Sequence, residues 1–444
     1  MPKIHRSGQD WILDRLIRSG GIDTLMPDFF LFMQSPVMGF NVADGARVAS
    51  MTRGTATMRR AYVRVGAHRE ALGRAAEAAG HLATARRQFH LAALAFAVAQ
   101  YMVQEDGSAE KRALQDRARA AYDRVCAFSN GQVTRLEIPF SDDPPFDGTS
   151  FPGLLHLPDA VGRHPCVIFI PGTDMTKEQV PNPEDNIFAK RGLACLSIDG
   201  PGQGESLVRG LKVHVATWNY ERAVSAAIDV LAEHPNIDAS RIAVFGCSTG
   251  SYWAPRAAIW EARHGDRIRA VAGLAAQWEP YFVTEFEYAQ PNFKTNYMYM
   301  AGHDEEAAFD AEAPLHVLEG LLQEVTAPLL IAQGEFDELC TPEVLERLMT
   351  EMTVPHTLRI YEGEFHPLGR VALEAYEGVA DWIGDQLSGG AAELPTIERV
   401  PEFGFAGSAA ADSGTGVAAS PDGATVPGAR SASRAHGGPG GGTP

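Results

Sequence analysis

From about residue 131 the chain alternates short, unbroken apolar runs with helix-patterned stretches, and few folds accommodate that alternation. "CVIFI" (166–170), "LACLSID" (193–199), "RIAVFG" (241–246), "IRAVAGLAA" (268–276), "PLLIAQGEFD" (328–337) and "TLRIYEGEFH" (357–366) read as strands. "WNYERAVSAAIDVLAEH" (218–234) and "RVALEAYEGVADWIGDQL" (370–387) read as helices. Strands apolar on both faces must be covered on both faces. The expected fold is therefore α/β, a mainly parallel sheet between layers of crossover helices.

Residues 1–130 carry no such strands. Leu82, Ala85, Phe89, Ala92, Phe96 and Ala99 recur at three- and four-residue spacing, the stripe of an amphipathic helix. Gly66, Gly73 and Gly80 punctuate the preceding Ala/Arg-rich stretch, and residues 104–110 form a loop before a helix that ends near Phe128. This region is expected to be an all-helical cap domain, foremost a packing domain and alternatively one whose helices also roof an active site. The sheet domain then spans 131–390. Beyond it the composition collapses to Gly, Ala, Ser, Pro and Thr, and 391–444 is expected to be a disordered tail, too poor in apolar surface to offset its ordering entropy.

The formal net charge of −18 excludes a basic nucleic-acid-binding surface. The five cysteines are scattered and odd in number, with no CxxC pair and no Cys/His ligand spacing, so reduced thiols are expected and a disulfide or zinc framework is not. The first twenty residues lack the apolar core of a signal peptide, and no run of about 18 apolar residues occurs. These features imply a soluble, cytoplasmic protein without membrane or nucleic-acid partners.

Gly246-Cys247-Ser248-Thr249-Gly250 places a G-x-S-x-G between a strand and a helix. There the glycines permit a sharp turn that lifts the central side chain to its apex. That residue is Ser248; Cys247, one step earlier, points to the packed side. A serine nucleophile needs a base, and the base needs an orienting carboxylate. Asp337 and His366 follow in that order at the expected ends of two later strands, with Glu335 and His356 as reserve candidates. An oxyanion needs two N–H donors. Thr249, at the helix start, supplies one, and the loop "PGTD" after "CVIFI" supplies the other from Thr173, with Asp174 as the alternative. The acidic "GHDEE" (302–306) has no second ligand cluster, so no metal is expected.

With these residues in place, "IPGTDMTKE" (170–178), "DGPGQGES" (199–206), "GCSTG", "GEFDELCTP" (334–342) and "EGEFHPLG" (362–369) resemble one branch of the α/β-hydrolases. It is the branch of the 2,6-dihydroxypseudooxynicotine hydrolase group, with the fungal polyketide-shortening hydrolases and the fermentation–respiration switch protein. The likeness covers about residues 55–390. It implies an α/β-hydrolase fold behind an N-terminal helical cap, a homodimer, no cofactor, and hydrolysis of carbon–carbon bonds beside a ketone in aromatic or polyketide-like β-dicarbonyl substrates. It carries over Ser248 as nucleophile, Asp337 as acid and His366 as base. It also implies a substrate-orienting carboxylate at Glu279, beside Trp278. The aromatic-rich segment 278–300 is expected to line the pocket, to pack against the helical domain, or both.

The same residues serve an esterase, a thioesterase or an acyltransferase, because bond choice depends on the pocket and on how the leaving group is protonated. A non-catalytic interaction protein on this scaffold is the alternative from another class. Labelling by a fluorophosphonate separates it from the enzymes.

Overall fold

The computed structural model describes residues 5, 10–22, 28–159, 161–390 and 395–402. Six helices precede the sheet: α1 (Asp10–Gly20), α2 (Phe29–Gln34), α3 (Val42–Met51), α4 (Thr55–Ala78), α5 (Leu82–Tyr101) and α6 (Ala109–Ala127). Every residue of α5 from Phe89 to Gln100 is buried, so it is a central helix enclosed on all sides. The apolar stripe expected from the sequence is only one of its covered faces. Gly66 and Gly73 lie inside α4 and do not interrupt it. A Cβ at Gly66 would come within 2.7 Å of the Phe96 ring, and one at Gly73 within 3.0 Å of Phe89. These glycines are seats for the aromatic rings of α5.

Nine strands form one sheet in the order β1-β2-β4-β3-β5-β6-β7-β8-β9. They are β1 (Val133–Pro139), β2 (Ser150–His156), β3 (His164–Ile170), β4 (Ala194–Ile198), β5 (Ile237–Cys247), β6 (Ile268–Leu274), β7 (Leu329–Gly334), β8 (His356–Tyr361) and β9 (Thr396–Val400). β1 and β2 pair antiparallel and β2 joins β4 antiparallel; from β4 to β9 every pairing is parallel. The helices after the first strands are α7 (Gly204–Val208), α8 (Asn219–Glu233), α9 (Thr249–His264), α10 (Pro291–Ala301), α11 (Glu306–Glu312), α12 (Pro342–Met349) and α13 (Ala372–Leu387).

Alternation along the strands divides the core. Ile168, Ile170, Ile242 and Val244 face one side, with Val224 of α8 and Ala257 of α9. Val167, Phe169, Ala243 and Phe245 face the other, with Tyr376 and Val379 of α13. This second cluster continues without a break into Phe89 and Phe96 of α5. The change at residue 130 is therefore one of secondary structure and not of packing, and helices and sheet belong to one compact unit that ends at Glu402.

Two strand ends differ from expectation. β7 stops at Gly334 and β8 at Tyr361, so Asp337 and His366 stand on the loops that follow. Part of the segment expected to be disordered is a strand. Thr396–Val400 runs parallel beside β8, and Arg359 Nε donates to Glu398 Oε2 at 2.6 Å across the pair. Of the expected disordered segment, 391–394 and 403–444 lie outside the described residues. Among those described, no helix is long and apolar enough to cross a membrane.

Candidate active site

The turn between β5 and α9 is strained. Ser248 has φ 54° and ψ −125°, a left-handed backbone that a side-chain-bearing residue rarely holds. The tightness requires its flanking glycines, since a Cβ on Gly246 would run into the Gly250 carbonyl and one on Gly250 into that of Ile170. The turn projects Ser248 Oγ to within 2.9 Å of His366 Nε2. His366 Nδ1 lies 2.9 Å from Asp337 Oδ2. A carboxylate can only accept, so Nδ1 carries the proton and Nε2 is left to accept from the serine hydroxyl. The other Asp337 oxygen accepts from the N–H groups of Leu339 (2.9 Å) and Cys340 (3.1 Å), which fixes the carboxylate. Three residues from three loops at the carboxyl edge of the sheet thus form one hydrogen-bonded chain. Such a chain can take a proton from a hydroxyl that attacks a carbonyl.

Burial disfavours the His366 imidazolium, but the charge and hydrogen bond of Asp337, with the charges of Glu338 and Glu285, outweigh it and lift the group to about 9. Cys247 is buried beneath the turn, and burial pushes its thiol up to about 12, so it is no thiolate at neutral pH.

Thr249 opens α9, so its N–H is one of those that no helix carbonyl takes up. Thr173 sits on the loop after β3, and the Thr173 and Thr249 hydroxyls are hydrogen-bonded to each other. Gly172 brings that loop against the serine: a Cβ there would lie 3.1 Å from Ser248 Cβ. Gln203 clips the loop from behind, donating to the carbonyls of Pro171 and Gly172. The Lys177 ammonium is fully buried and lies 2.8 Å from Asp199, 2.7 Å from Glu178 and 3.4 Å from Glu205. Burial opposes its charge, but these three carboxylates raise its pKa above the ordinary lysine value. The "TKE" and "DGPGQGE" segments are thus the two halves of a brace behind the loop that carries Thr173.

The cleft at Ser248 is narrow and partly open to solvent. Phe29 and Phe32 of α2 roof it, Phe293 of α10, Met175 and Leu339 wall it, and Asp174 and Glu285 bring two carboxyl groups to it. Burial lifts Asp174 to about 6, and burial with the charges of Asp174 and Glu279 lifts Glu285 to about 8, His366 acting in the opposite sense in both cases.

Several residues singled out in the sequence lie elsewhere. Glu279 does not line this cleft; its carboxylate accepts from the backbone N–H (2.6 Å) and hydroxyl (2.8 Å) of Thr284 and so caps its own turn. Trp278 is buried in the core and donates through Nε1 to Ser251 O at 2.9 Å. Glu335 accepts from Gly363 N and lies 3.3 Å from Arg399, while His356 begins β8 at the opposite end of the strand from the loop of His366. The aromatic segment 278–300 is divided: Phe293 and Glu285 reach the cleft, whereas Phe282, Phe286 and Tyr297 pack among themselves and on His316. Glu285 was not singled out in the sequence. The available signal is its place between Phe282 and Phe286, where a carboxyl faces inward among rings.

Among the described residues, Glu287, Glu306 and Asp310 form an acidic group compact enough for a cation. Lys294 Nζ already lies 2.6 to 2.8 Å from all three.

The family described as "Esterase FrsA-like" matches residues 67–308, a span that includes Ser248. The chain is 29% identical over 265 residues to the 2,6-dihydropseudooxynicotine hydrolase of Paenarthrobacter nicotinovorans, covering 57% of this chain and 66% of that protein. It is 34% identical over 170 residues to the hydrolase LUC6 of a Fusarium species, covering 37% and 38%. The aligned region thus spans less than two thirds of either relative. The solved structure of the 2,6-dihydroxy-pseudo-oxynicotine hydrolase superposes with a TM-score of 0.68 at 23% identity, over 83% of this chain and 99% of that one, so the two share a fold.

Proposed function

This chain belongs to the FrsA-like esterase family, with an α/β-hydrolase fold behind a helical N-terminal region, and we propose that it is a serine hydrolase that cleaves a carbon–carbon bond beside a ketone. The observation that carries the reading is the unbroken Ser248–His366–Asp337 chain at the floor of a cleft with aromatic walls. Ser248 Oγ attacks the carbonyl carbon as its proton passes to His366 Nε2, and the N–H groups of Thr249 and Thr173 hold the oxyanion. Collapse breaks the carbon–carbon bond, whose electron pair leaves as an enolate, and His366 returns the proton to it. Water, deprotonated by His366, then cleaves the acyl-enzyme to a carboxylic acid and free Ser248. The balance is one water consumed, with no redox change.

The carbon–carbon preference is supported by the relative named as a 2,6-dihydropseudooxynicotine hydrolase and by the Phe29, Phe32 and Phe293 rings that line the cleft. An esterase is the second reading, favoured by the family's own description. A homodimer remains part of the proposal, tested by sedimentation. The deciding experiment offers an aryl 1,3-diketone and an aryl ester of similar shape to the wild type and to Ser248→Ala. Diketone cleavage that the substitution abolishes supports the carbon–carbon reading. Serine-dependent ester cleavage with the diketone untouched replaces it by the esterase, and no fluorophosphonate adduct on folded protein removes both.

A further inference from the structure

The Ser248–His366–Asp337 chain leaves two acids of the cleft unused, Asp174 and Glu285, and Glu285 is the more deeply buried. Glu285 sits in the single wide turn Thr284–Tyr288, just after Tyr281 and Phe282, whose φ angles of 66° and 50° are both left-handed. This strained entry places a carboxyl where the local aromatic pattern would otherwise put another ring. The side chain is 2% exposed, lines the same cleft as Ser248 and His366, and leaves Oε2 without a hydrogen-bond partner among the described residues.

The groups that face it come from every surrounding element. They are Asp174 from the loop after β3, His366 from the loop after β8, Tyr101 from the end of α5, Tyr297 from α10, and Glu279 from its own segment. Of these only His366 can carry a positive charge, and it is already paired with Asp337. A buried carboxylate without its own cation or donors is costly, whereas a buried carboxylic acid needs only an acceptor. Burial first, then Asp174 and Glu279, hold Glu285 in the protonated form to about 8.

We propose that the Glu285 carboxyl is a substrate-binding hydrogen-bond donor, which takes the oxygen of a second carbonyl on the part of the substrate that departs from the Ser248 acyl adduct. The proposal rests on the carbon–carbon reading and deepens it. When that bond breaks, the electron pair delocalises onto the neighbouring carbonyl oxygen. A neutral O–H aimed at that oxygen stabilises the enolate without giving up its proton, which the carbon receives from His366. The leaving oxygen of a simple ester has no such second carbonyl. Phe29, Phe32 and Phe293 keep water from competing for the same donor. The ligand class is thus a 1,3-dicarbonyl with an aromatic or otherwise flat body.

The test is a binding measurement on protein that cannot turn over. An aryl 1,3-diketone is titrated into Ser248→Ala and into the doubles that add Glu285→Ala or Glu285→Gln, from about pH 6 to 9.5, with the thermal midpoint of each recorded. In Ser248→Ala the affinity is expected to fall as pH rises through the Glu285 titration near 8. Glu285→Ala is expected to weaken binding about tenfold at pH 7. Glu285→Gln keeps an N–H donor, so it retains most of the affinity and loses the fall near 8, and it stands in should the alanine double fail to fold. Ionisation of the diketone, of Asp174 near 6 and of His366 near 9 is common to all three proteins, so the reading is the difference between the profiles of Ser248→Ala and the doubles. The proposal is overturned if the doubles bind as Ser248→Ala does, if the fall near 8 is as large in Glu285→Gln as in Ser248→Ala, or if Ser248→Ala binds no diketone at any pH. Failure of the carbon–carbon reading appears separately, as Glu285-dependent binding of a diketone that the wild type does not cleave.

Discussion

Gln203 reaches from the loop after β4 and donates through Nε2 to Pro171 O at 2.8 Å and to Gly172 O at 3.0 Å. Tyr220 completes the clip, its hydroxyl donating to Gln203 Oε1 at 2.5 Å. The loop that positions Thr173 is therefore held by a side chain that touches no substrate. Gln203→Ala removes both donors and leaves buried carbonyls unpaired, at about 1–3 kcal/mol each. We expect kcat on an aryl ester to fall about tenfold, equivalent to about 1.4 kcal/mol of barrier, with KM changed less. An unaltered kcat beside a lowered thermal midpoint would confine Gln203 to stability.

Asp337 fixes the proton on His366 Nδ1, and Asp337→Asn would present an N–H to the same nitrogen and reverse the tautomer. On the proposed serine-hydrolase reading, kcat is expected to fall by about 10⁴. Ser248→Ala is expected to abolish fluorophosphonate labelling and to melt near the wild type, whereas Asp337→Asn should melt lower at neutral pH because it removes the charge that lifts His366. Labelling that persists without Ser248 would move the nucleophile elsewhere.

The raised His366 value has a sign that can be checked. Activity requires the neutral imidazole, so kcat/KM for an uncharged ester should rise with pH through a limb above the free imidazole value of about 6.5, toward about 9. For stability the sense is opposite. The folded value exceeds the unfolded one, so this contribution is complete below about 6.5 and is lost as pH rises through about 9. Above about 8, where Glu285 ionises, its charge is among those that lift His366, so Glu285→Gln should shift the upper part of the rising limb of kcat/KM to lower pH. A limb at or below that of free imidazole would contradict the geometry.

Lys177 neutralises Asp199, Glu178 and Glu205 inside the protein. Lys177→Met would leave Asp199 and Glu178 without this cation, while Glu205 keeps Arg135 and Arg209, and is expected to cost about 3–5 kcal/mol. Urea unfolding reads this directly. A change below about 1 kcal/mol, roughly the worth of an exposed pair, would mean that water reaches the cluster.

The long parallel strands and Ser248, Asp337 and His366 were legible because continuous apolar runs mark buried strands and because the G-x-S-x-G turn dictates where its partners must stand. β1 was not, since Arg135 and Glu137 give it the look of a loop, nor was β2, which carries Pro152 and Gly153 in its middle. Their pairing arises from tertiary contact and not from local pattern. Gly66 and Gly73 misled as punctuation because packing against Phe96 and Phe89 cannot be read from α4 alone. Glu279 and Glu285 are six positions apart in one irregular turn, and only the left-handed backbone at Tyr281 and Phe282 decides which of them reaches the cleft.

β9 follows the last helix and holds no residue of the cleft, yet its position at the end of the sheet has a bearing on solubility. Without Thr396–Val400 the N–H and C=O groups of β8 that now pair with it would be the outermost row, beside the apolar Leu358 and Ile360. Such an uncovered row invites strands from other molecules to add to it. A chain shortened at the compositional break near residue 390 should therefore self-associate at concentrations where one ending after Glu402 stays monodisperse, which light scattering would register. The short charged strand "TIERV" acts as a guard against aggregation.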